Sequence, residues 1–279
     1  MAGTAIIKQK SEPAGGVRME TAMGKSILGQ IAFGRLRFLR RPEQDVTEFS
    51  QLNWEEEIHR FHTAQSLAVG QLTTLYEQAV RWIGEGLASI FAIHAILLQD
   101  EELESAVRSM IRERGVTAEY AVQAAGERFS QAFDEMDSTY MQARAMDIRD
   151  ICHRMIRLLL GHRRYDPLRE GPAILVADKF FPSEVLDLDH RRLLGLIARQ
   201  GSVDSHTAML LRAYGIPAMA EVELGREWDG RLALLDGFDH RLYLEPDGAT
   251  LERLRLRYQA GGMPPSEKDK QKEKQPQTV

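Results

Sequence analysis

The sequence predicts an α/β domain interrupted by an all-helical insertion, a mixed α+β or α/β fold class. Residues 53–161 contain no proline and follow a helical period through most of their length. Short apolar runs bounded by Gly, Pro and Asp flank this region and indicate strands. The 279 residues are 43% hydrophobic and 28% charged, as in ordinary globular proteins. We expect the first strands to pair with the last, so that two structural units share one chain.

The N-terminal part is predicted to be a flexible arm over residues 1–22, followed by strands. Residues 25–40 alternate apolar and polar side chains with interspersed glycines, which is typical of strands joined by tight turns. We therefore assign residues 23–50 to the α/β domain, together with residues 163–260 that follow the insertion.

The helical insertion is predicted over residues 51–162. Asn53 followed by Glu56 indicates a capping box at its start. Apolar side chains then recur at helical spacing, as they do again between residues 129 and 158. Arg144 and Asp147 interrupt this second stripe. Two interpretations of the interruption stay open: a solvated stretch at the end of a helical bundle, or a polar contact surface.

After residue 161 the pattern returns to strands. Apolar runs at 173–177, 193–198 and 232–236 are predicted strands, and residues 241–246 are expected to form a hairpin with the last of them. Pro182 opens one helix between these strands. A second helix is predicted over residues 205–214. It is expected to end there because Gly215 and Pro217 follow.

Composition excludes several classes of function. The net charge of −5 argues against a nucleic-acid partner, and no apolar stretch reaches the roughly 18–20 residues of a membrane span. Cys152, the only cysteine, forms no intramolecular disulfide, which favours a cytoplasmic protein. No metal site is predicted, since His59 and His62 have no third ligand at a recognisable spacing. The Lys-rich tail, residues 261–279, is expected to be disordered.

A candidate reactive side chain lies at the start of the helix predicted over residues 205–214. His206 stands between Ser205 and Thr207, where the first amides of a helix have no intrahelical partner. Such a helix start attracts phosphate, and a neutral imidazole is a competent nucleophile. The two hydroxyls could donate hydrogen bonds to phosphate oxygens. The alternative is that Ser205 or Asp204 simply caps the helix and His206 is a surface residue.

Four stretches in consistent order, within about residues 25–260, resemble one family. Residues 200–218, QGSVDSHTAMLLRAYGIPA, are similar to the phosphohistidine motif of PEP-utilizing enzymes. Residues 27–39 resemble the opening strand motif of Enzyme I of the bacterial phosphotransferase system. FAIHAILLQDEELES (91–105) and MDSTYMQARAMDIRDICHRMIRLLLG (136–161) resemble two of its helices. The chain is thus similar to the N-terminal half of Enzyme I.

The resemblance implies a swivelling phosphohistidine domain with an inserted helical domain that docks the histidine phosphocarrier protein, HPr. His206 would be the phosphoryl carrier, with Ser205 and Thr207 beside it in the catalytic site. The docking face would comprise His94, Ile96, Leu97, Asp100, Glu101, Glu102, Leu103 and Arg144. The residue types agree in part, because apolar side chains beside an acidic run suit a basic partner.

The implied function is phosphoryl transfer between His206 and an HPr-like protein in a PEP-dependent phosphotransferase system. The chain would be the half of this phosphotransferase without the PEP-binding barrel. No cofactor is therefore expected in it: Mg²⁺ and phosphoenolpyruvate belong with the C-terminal half, and a separate PEP-binding domain is a further candidate partner. Asp204, Ser202 and Val185 depart from the family pattern. They favour the alternative of a catalytically impaired paralogue that regulates HPr by binding it.

Overall fold

The computed structural model describes residues 19–39, 46–161 and 166–259, and it contains the two predicted units. The strands are β1 (Glu20–Met23), β2 (Lys25–Leu28), β3 (Ile31–Phe38), β4 (Ala173–Ala177), β5 (Leu193–Ala198), β6 (Ala218–Ala220), β7 (Leu232–Asp236) and β8 (Arg241–Leu244). The helices are α1 (Trp54–Ile83), α2 (Glu85–Leu97), α3 (Glu101–Arg114), α4 (Ala118–Asp134), α5 (Thr139–Leu159), α6 (Pro182–Asp187), α7 (His206–Ala213) and α8 (Gly248–Gln259).

The strands form one sheet in the order β1-β8-β7-β3-β4-β5-β6-β2. β3 pairs in parallel with β4, where Leu36 lies opposite Ile174, and antiparallel with β7. The predicted pairing of the first strands with the last is thus confirmed, as are the strands at 173–177, 193–198 and 232–236. β7 and β8 form the predicted hairpin. β2 instead pairs with β6 at the far edge of the sheet, so it forms no hairpin with β3.

The ends of the chain differ from the sequence prediction. The prediction of a flexible arm is wrong for residues 20–22, because β1 begins at Glu20 and pairs antiparallel with β8. The backbone groups along β8 supply hydrogen-bond partners that satisfy this segment. The sequence prediction also missed α8, which packs Leu251 and Leu254 against the sheet. Residues 1–18 and the predicted tail, 261–279, lie outside the described residues.

The helical unit lies between β3 and β4 and comprises α1 to α5. The capping box is confirmed: the amide of Glu56 donates to Oδ1 of Asn53 at 2.8 Å, and the Asn53 amide donates back to the Glu56 carboxylate. The core contains the completely buried side chains of Leu72, Phe91 and Ile111. Burying each such side chain contributes about 1.5–3 kcal/mol. Within the described ranges, no helix combines the length and apolarity that crossing a membrane requires.

The two units meet where α5 faces α6 and α7. Leu210 of α7 is buried in the apolar core of the helical unit, although its helix belongs to the α/β unit. Residues four apart lie on one face of a helix. His206, four residues before Leu210, is therefore turned toward the helical unit as well.

Candidate functional site

A cavity of about 710 Å³ lies at this junction and is lined from both units. Gln142, Met146 and Asp147 of α5 form one wall. The loop of residues 200–205, together with His206, forms another. A chemical group attached to His206 would therefore lie between the helical unit and the sheet.

His206 is the first residue of α7, and the side chain of Ser205 caps this helix. The amide of Ala208 donates to Oγ of Ser205 at 3.2 Å. A cap of this kind contributes about 1 kcal/mol to helix stability. The capping interpretation is thus confirmed for Ser205. The start of α7 still places the positive end of the helix dipole at His206.

The ring of His206 is not that of a simple surface residue, because 34% of its side chain is exposed and it faces a buried carboxylate. Its Nδ1 lies 3.6 Å from Oδ1 of Asp147. The two nitrogens of an imidazole lie on different edges of the ring. Nε2 is therefore the nitrogen that faces away from Asp147.

Asp147 is completely buried and is held by three cationic or hydrogen-bonding side chains. Arg144 donates to Oδ2 at 2.9 Å, and Nε2 of His94 lies 3.2 Å from Oδ1. Burial raises the pKa of the Asp147 carboxyl, but hydrogen bonds from His206 and His94 outweigh it and hold the pKa well below its usual range. The polar interruption of α5 is therefore a buried internal contact, and neither a solvated stretch nor an external surface.

Two residues predicted on the docking face are not on the surface. His94 is completely buried and faces α5, so it cannot contact a partner in this arrangement. Leu103 is buried in the core of the helical unit, because α3 turns its apolar side toward the other helices. The prediction of direct docking contacts is wrong for these two residues.

The other members of the predicted docking face are accessible to different degrees. The side chain of Ile96 is 68% exposed. Leu97 is half-buried, and Arg144 is largely occupied by Asp147. The exposed acidic members are Asp100, Glu101 and Glu102. Asp100 also caps α3, since it accepts hydrogen bonds from the first amides of that helix. The structure thus brings an exposed apolar residue and three carboxylates together at the α2–α3 turn.

The hydroxyl of Thr207 does not point to a phosphate site. It donates to the carbonyl oxygen of Phe180 at 2.9 Å, so its single proton is already used. Val185, where the family pattern has threonine, is completely buried in the apolar core beside the sheet. Of the two predicted hydroxyl donors, Ser205 alone lacks a competing acceptor for its proton among the hydrogen bonds of the described residues.

The loop before His206 adds charges that act on any group bound there. Gly201 has a φ of 124°, and the amide of Asp204 donates to Oγ of Ser202 at 3.0 Å. The exposed Asp204 lines the cavity, and so does Lys179. The wall of the cavity therefore carries charges of both signs.

Sequence reasoning missed Asp147, Asp150 and Lys179 as site residues. The first two are carboxylates three apart inside an otherwise apolar helical stripe. Charged residues in such positions are buried only when they are paired, and this is the signal that could have identified them. Among the described residues, no three His, Cys, Asp or Glu side chains are placed to hold a metal ion.

Comparisons with known proteins show the family to which both units belong. Residues 23–144 match the family described as PEP-utilising enzyme, N-terminal, and residues 169–239 match PEP-utilising enzyme, mobile domain. The chain belongs to the PEP-utilising enzymes. Its site lies where these two matched regions meet, since Asp147 follows directly after the first region and His206 lies within the second.

Among curated members of the PEP-utilising family, the chain is similar to phosphoenolpyruvate-protein phosphotransferases. Those of Bacillus sp. (strain S) and Geobacillus stearothermophilus are each 30% identical over 255 residues, which cover 88% of this chain and 43% of the relative. The enzyme of Bacillus subtilis (strain 168) is 28% identical over 245 residues. The chain therefore spans less than half the length of these relatives.

Two solved structures share the fold of this PEP-utilising chain. The NMR solution structure of Enzyme I (nEIt) is 26% identical, with a TM-score of 0.67, and the match covers 87% of this chain and 100% of that one. The N-terminal domain of Enzyme 1 - Nitrogen is 22% identical, with a TM-score of 0.59 and coverage of 85% and 99%. The predicted fold class and the resemblance to the N-terminal part of Enzyme I are confirmed.

Proposed function

We propose that the protein carries a phosphoryl group on Nε2 of His206 and exchanges it with a histidine of a small HPr-like phosphocarrier protein. The main support is the position of His206 on a cavity shared by both units, with Nδ1 facing the ionised Asp147. A proton held on Nδ1 leaves the lone pair of the neutral imidazole on Nε2, which makes Nε2 the nucleophile. The names of the curated relatives support the reaction class.

In the proposed step, Nε2 of His206 attacks the phosphorus of the carrier's phosphohistidine in line. The new N–P bond forms while the bond to the carrier breaks, and its electron pair returns to the carrier's nitrogen. The ring of His206 gains positive charge, which Asp147 stabilises through the Nδ1 proton. Lys179 and the start of α7 act on the phosphoryl oxygens. Phosphoenolpyruvate and Mg²⁺ are assigned to a separate PEP-binding domain and not to these residues.

The carrier is proposed to dock at the α2–α3 turn. Ile96 offers an exposed apolar contact there, and Asp100, Glu101 and Glu102 surround it with negative charge. This combination suits a partner that presents an apolar centre with a basic rim.

Intact mass spectrometry tests the proposal. The purified chain is incubated with phosphorylated HPr at neutral to basic pH, and the His206→Ala variant is treated in parallel. The His59→Ala variant is the matched control, because His59 is exposed on α1. We expect a phosphate-sized gain that depends on His206, survives in His59→Ala and is lost in acid. The carrier role is excluded if HPr binds and no gain appears.

A second candidate function is a regulatory module that binds HPr without accepting phosphate. Asp204 on the cavity and the occupied hydroxyl of Thr207 favour this alternative. Isothermal titration with unphosphorylated HPr separates the two, since binding without any phosphate gain supports regulation. The Ile96→Ala variant should weaken that binding in either case.

A further inference from the structure

His94 is a completely buried imidazole that lies between two carboxylates of α5. Its Nε2 is 3.2 Å from Oδ1 of Asp147, and its Nδ1 is 3.6 Å from Oδ2 of Asp150. Phe91, about one turn earlier on α2, is also completely buried. Its ring lies edge-on to the imidazole, with 6.0 Å between the two ring centroids. Both of its nitrogens face carboxylate oxygens, but neither contact of the His94 ring has the geometry of a hydrogen bond. A buried polar ring without hydrogen-bond partners is costly, so the position of His94 between two carboxylates calls for an explanation.

The same oxygen of Asp147 faces the reactive histidine. Oδ1 lies 3.2 Å from Nε2 of His94 and 3.6 Å from Nδ1 of His206, while Oδ2 accepts from Arg144. Two imidazoles, one from α2 and one from α7, therefore converge on a single carboxylate oxygen. The orientation of this carboxylate decides whether Oδ1 reaches His206.

Asp150 is held in turn by α6. The amide of Ser183 donates to Oδ2 at 3.0 Å, and its hydroxyl donates to Oδ1 at 2.5 Å. Burial raises the pKa of the Asp150 carboxyl. A continuous series of contacts thus runs from Ser183 through Asp150, His94 and Asp147 to His206.

We propose that His94 is a positioning residue for His206. Its Nε2 proton is directed at Oδ1 of Asp147, 3.2 Å away, and its attraction orients the carboxylate to accept the Nδ1 proton of His206. The His206 ring is then held in the tautomer whose Nε2 lone pair is free. This proposal rests on the proposed function, because it matters for phosphoryl transfer only if Nε2 of His206 reacts. It also connects α2, which bears the exposed Ile96, to the reacting ring.

The proposal is tested by long-range ¹H–¹⁵N NMR of the unphosphorylated full chain, above the ordinary imidazole pKa of about 6.5. In the unmodified protein we expect His206 to carry its proton on Nδ1 and His94 to carry one on Nε2. In His94→Leu, Asp147 loses a donor, and the tautomers of His206 should shift toward protonation on Nε2. His94→Gln, whose amide can still donate to Asp147, should retain the original tautomer.

The matched control is Phe91→Leu, which removes packing from the same buried turn of α2 and leaves the donors to Asp147 intact. An equal shift in Phe91→Leu, or no shift in a folded His94→Leu, would overturn the proposal. A proton on Nε2 of His206 in the unmodified protein would overturn it even if no variant folds. Because these spectra require no phosphate donor, a failure of phosphorylation in the mass experiment leaves this readout intact. The two proposals can therefore fail separately.

Discussion

In the proposed reaction, the residue expected to affect His206 most is Asp147, a buried, ionised carboxylate. The Asp147→Asn variant removes the negative charge that stabilises the positively charged ring after attack. We expect the rate of phosphate gain from phosphorylated HPr to fall by about 10²-fold or more, since buried electrostatic groups at reacting centres typically contribute that much. Quenched-flow mass spectrometry measures the rate. Asp134→Asn, on the exposed side of α4, should leave the rate unchanged.

The effect of pH on Asp147 has a defined sign. Its folded pKa is lowered, so its ionised contacts stabilise the protein above the unfolded pKa of about 3.9 and are lost as pH falls through the folded value. The difference in free energy of unfolding between the unmodified protein and Asp147→Asn should therefore be largest above pH about 4 and shrink in stronger acid. Urea titrations at a series of pH values measure it. A difference that grew on acidification would contradict the assignment.

Asp204 is expected to act against the phosphorylated state. It is exposed on the cavity, where a phosphoryl group on His206 would meet a second negative charge. Asp204→Thr should raise the ratio of phosphorylated to unphosphorylated chain at equilibrium with phosphorylated HPr, by about tenfold if the repulsion is near 1.4 kcal/mol. Intact mass measures that ratio. An unchanged ratio would contradict the assignment of this repulsion to Asp204.

At the scale of elements, α4 and α5 approach each other through a glycine. A Cβ atom on Gly126 would lie 2.6 Å from Sγ of Cys152, which is buried in the helical core. Gly126→Ala should therefore destabilise the protein by about 1–3 kcal/mol despite the better helix propensity of alanine. Gly70→Ala in α1 is the matched control, since a Cβ there meets nothing within 4 Å. That control should gain about 0.5–1 kcal/mol.

Thermal unfolding of both glycine variants checks this prediction. The Cys152→Ala background removes Sγ, so the cost of Gly126→Ala should become smaller there. Equal costs in the two backgrounds would mean that Sγ is not the limiting contact.

Local pattern predicts elements well in this chain and predicts their partners poorly. The buried strands β4, β5 and β7 were predictable because apolar runs end at Gly, Pro or Asp within a few residues. β1 was not, since its four residues become a strand only by pairing with β8. The burial of His94 could not be predicted either. Apolar side chains lie on all sides of α2, so the periodicity of the sequence does not show which side of the helix is buried. His206 became a candidate through its place at a helix start and the family resemblance, whereas its contact with Asp147 depends on tertiary structure.

At the scale of the whole molecule, apolar and polar contacts both join the two units: Leu210 of α7 lies in the core of the helical unit, and one face of α5 adds polar contacts. Asp147 contacts His206, Asp150 accepts from Ser183, and Arg154 pairs with Asp187 at 3.2 Å. The neighbouring apolar residues of α5 pack inside the helical unit instead. Among the described residues, α6 and α7 contribute only Leu186 and Leu210 to the apolar core of the helical unit, so the apolar part of the junction is small compared with the interior of either unit. We infer that the relative orientation of the units changes more easily than the interior of either unit.

The Ser183→Ala variant tests this inference. It removes the hydroxyl that donates to Asp150 across the junction, at a cost of about 0.5–1.5 kcal/mol for a typical hydrogen bond. Residual dipolar couplings should then show a broader range of orientations between the units, with unchanged couplings inside each unit. Ser130→Ala is the matched control, because Ser130 is equally buried but donates to Glu127 within α4. If Ser130→Ala broadened the range as much, or Ser183→Ala left it unchanged, α5 would not control the junction.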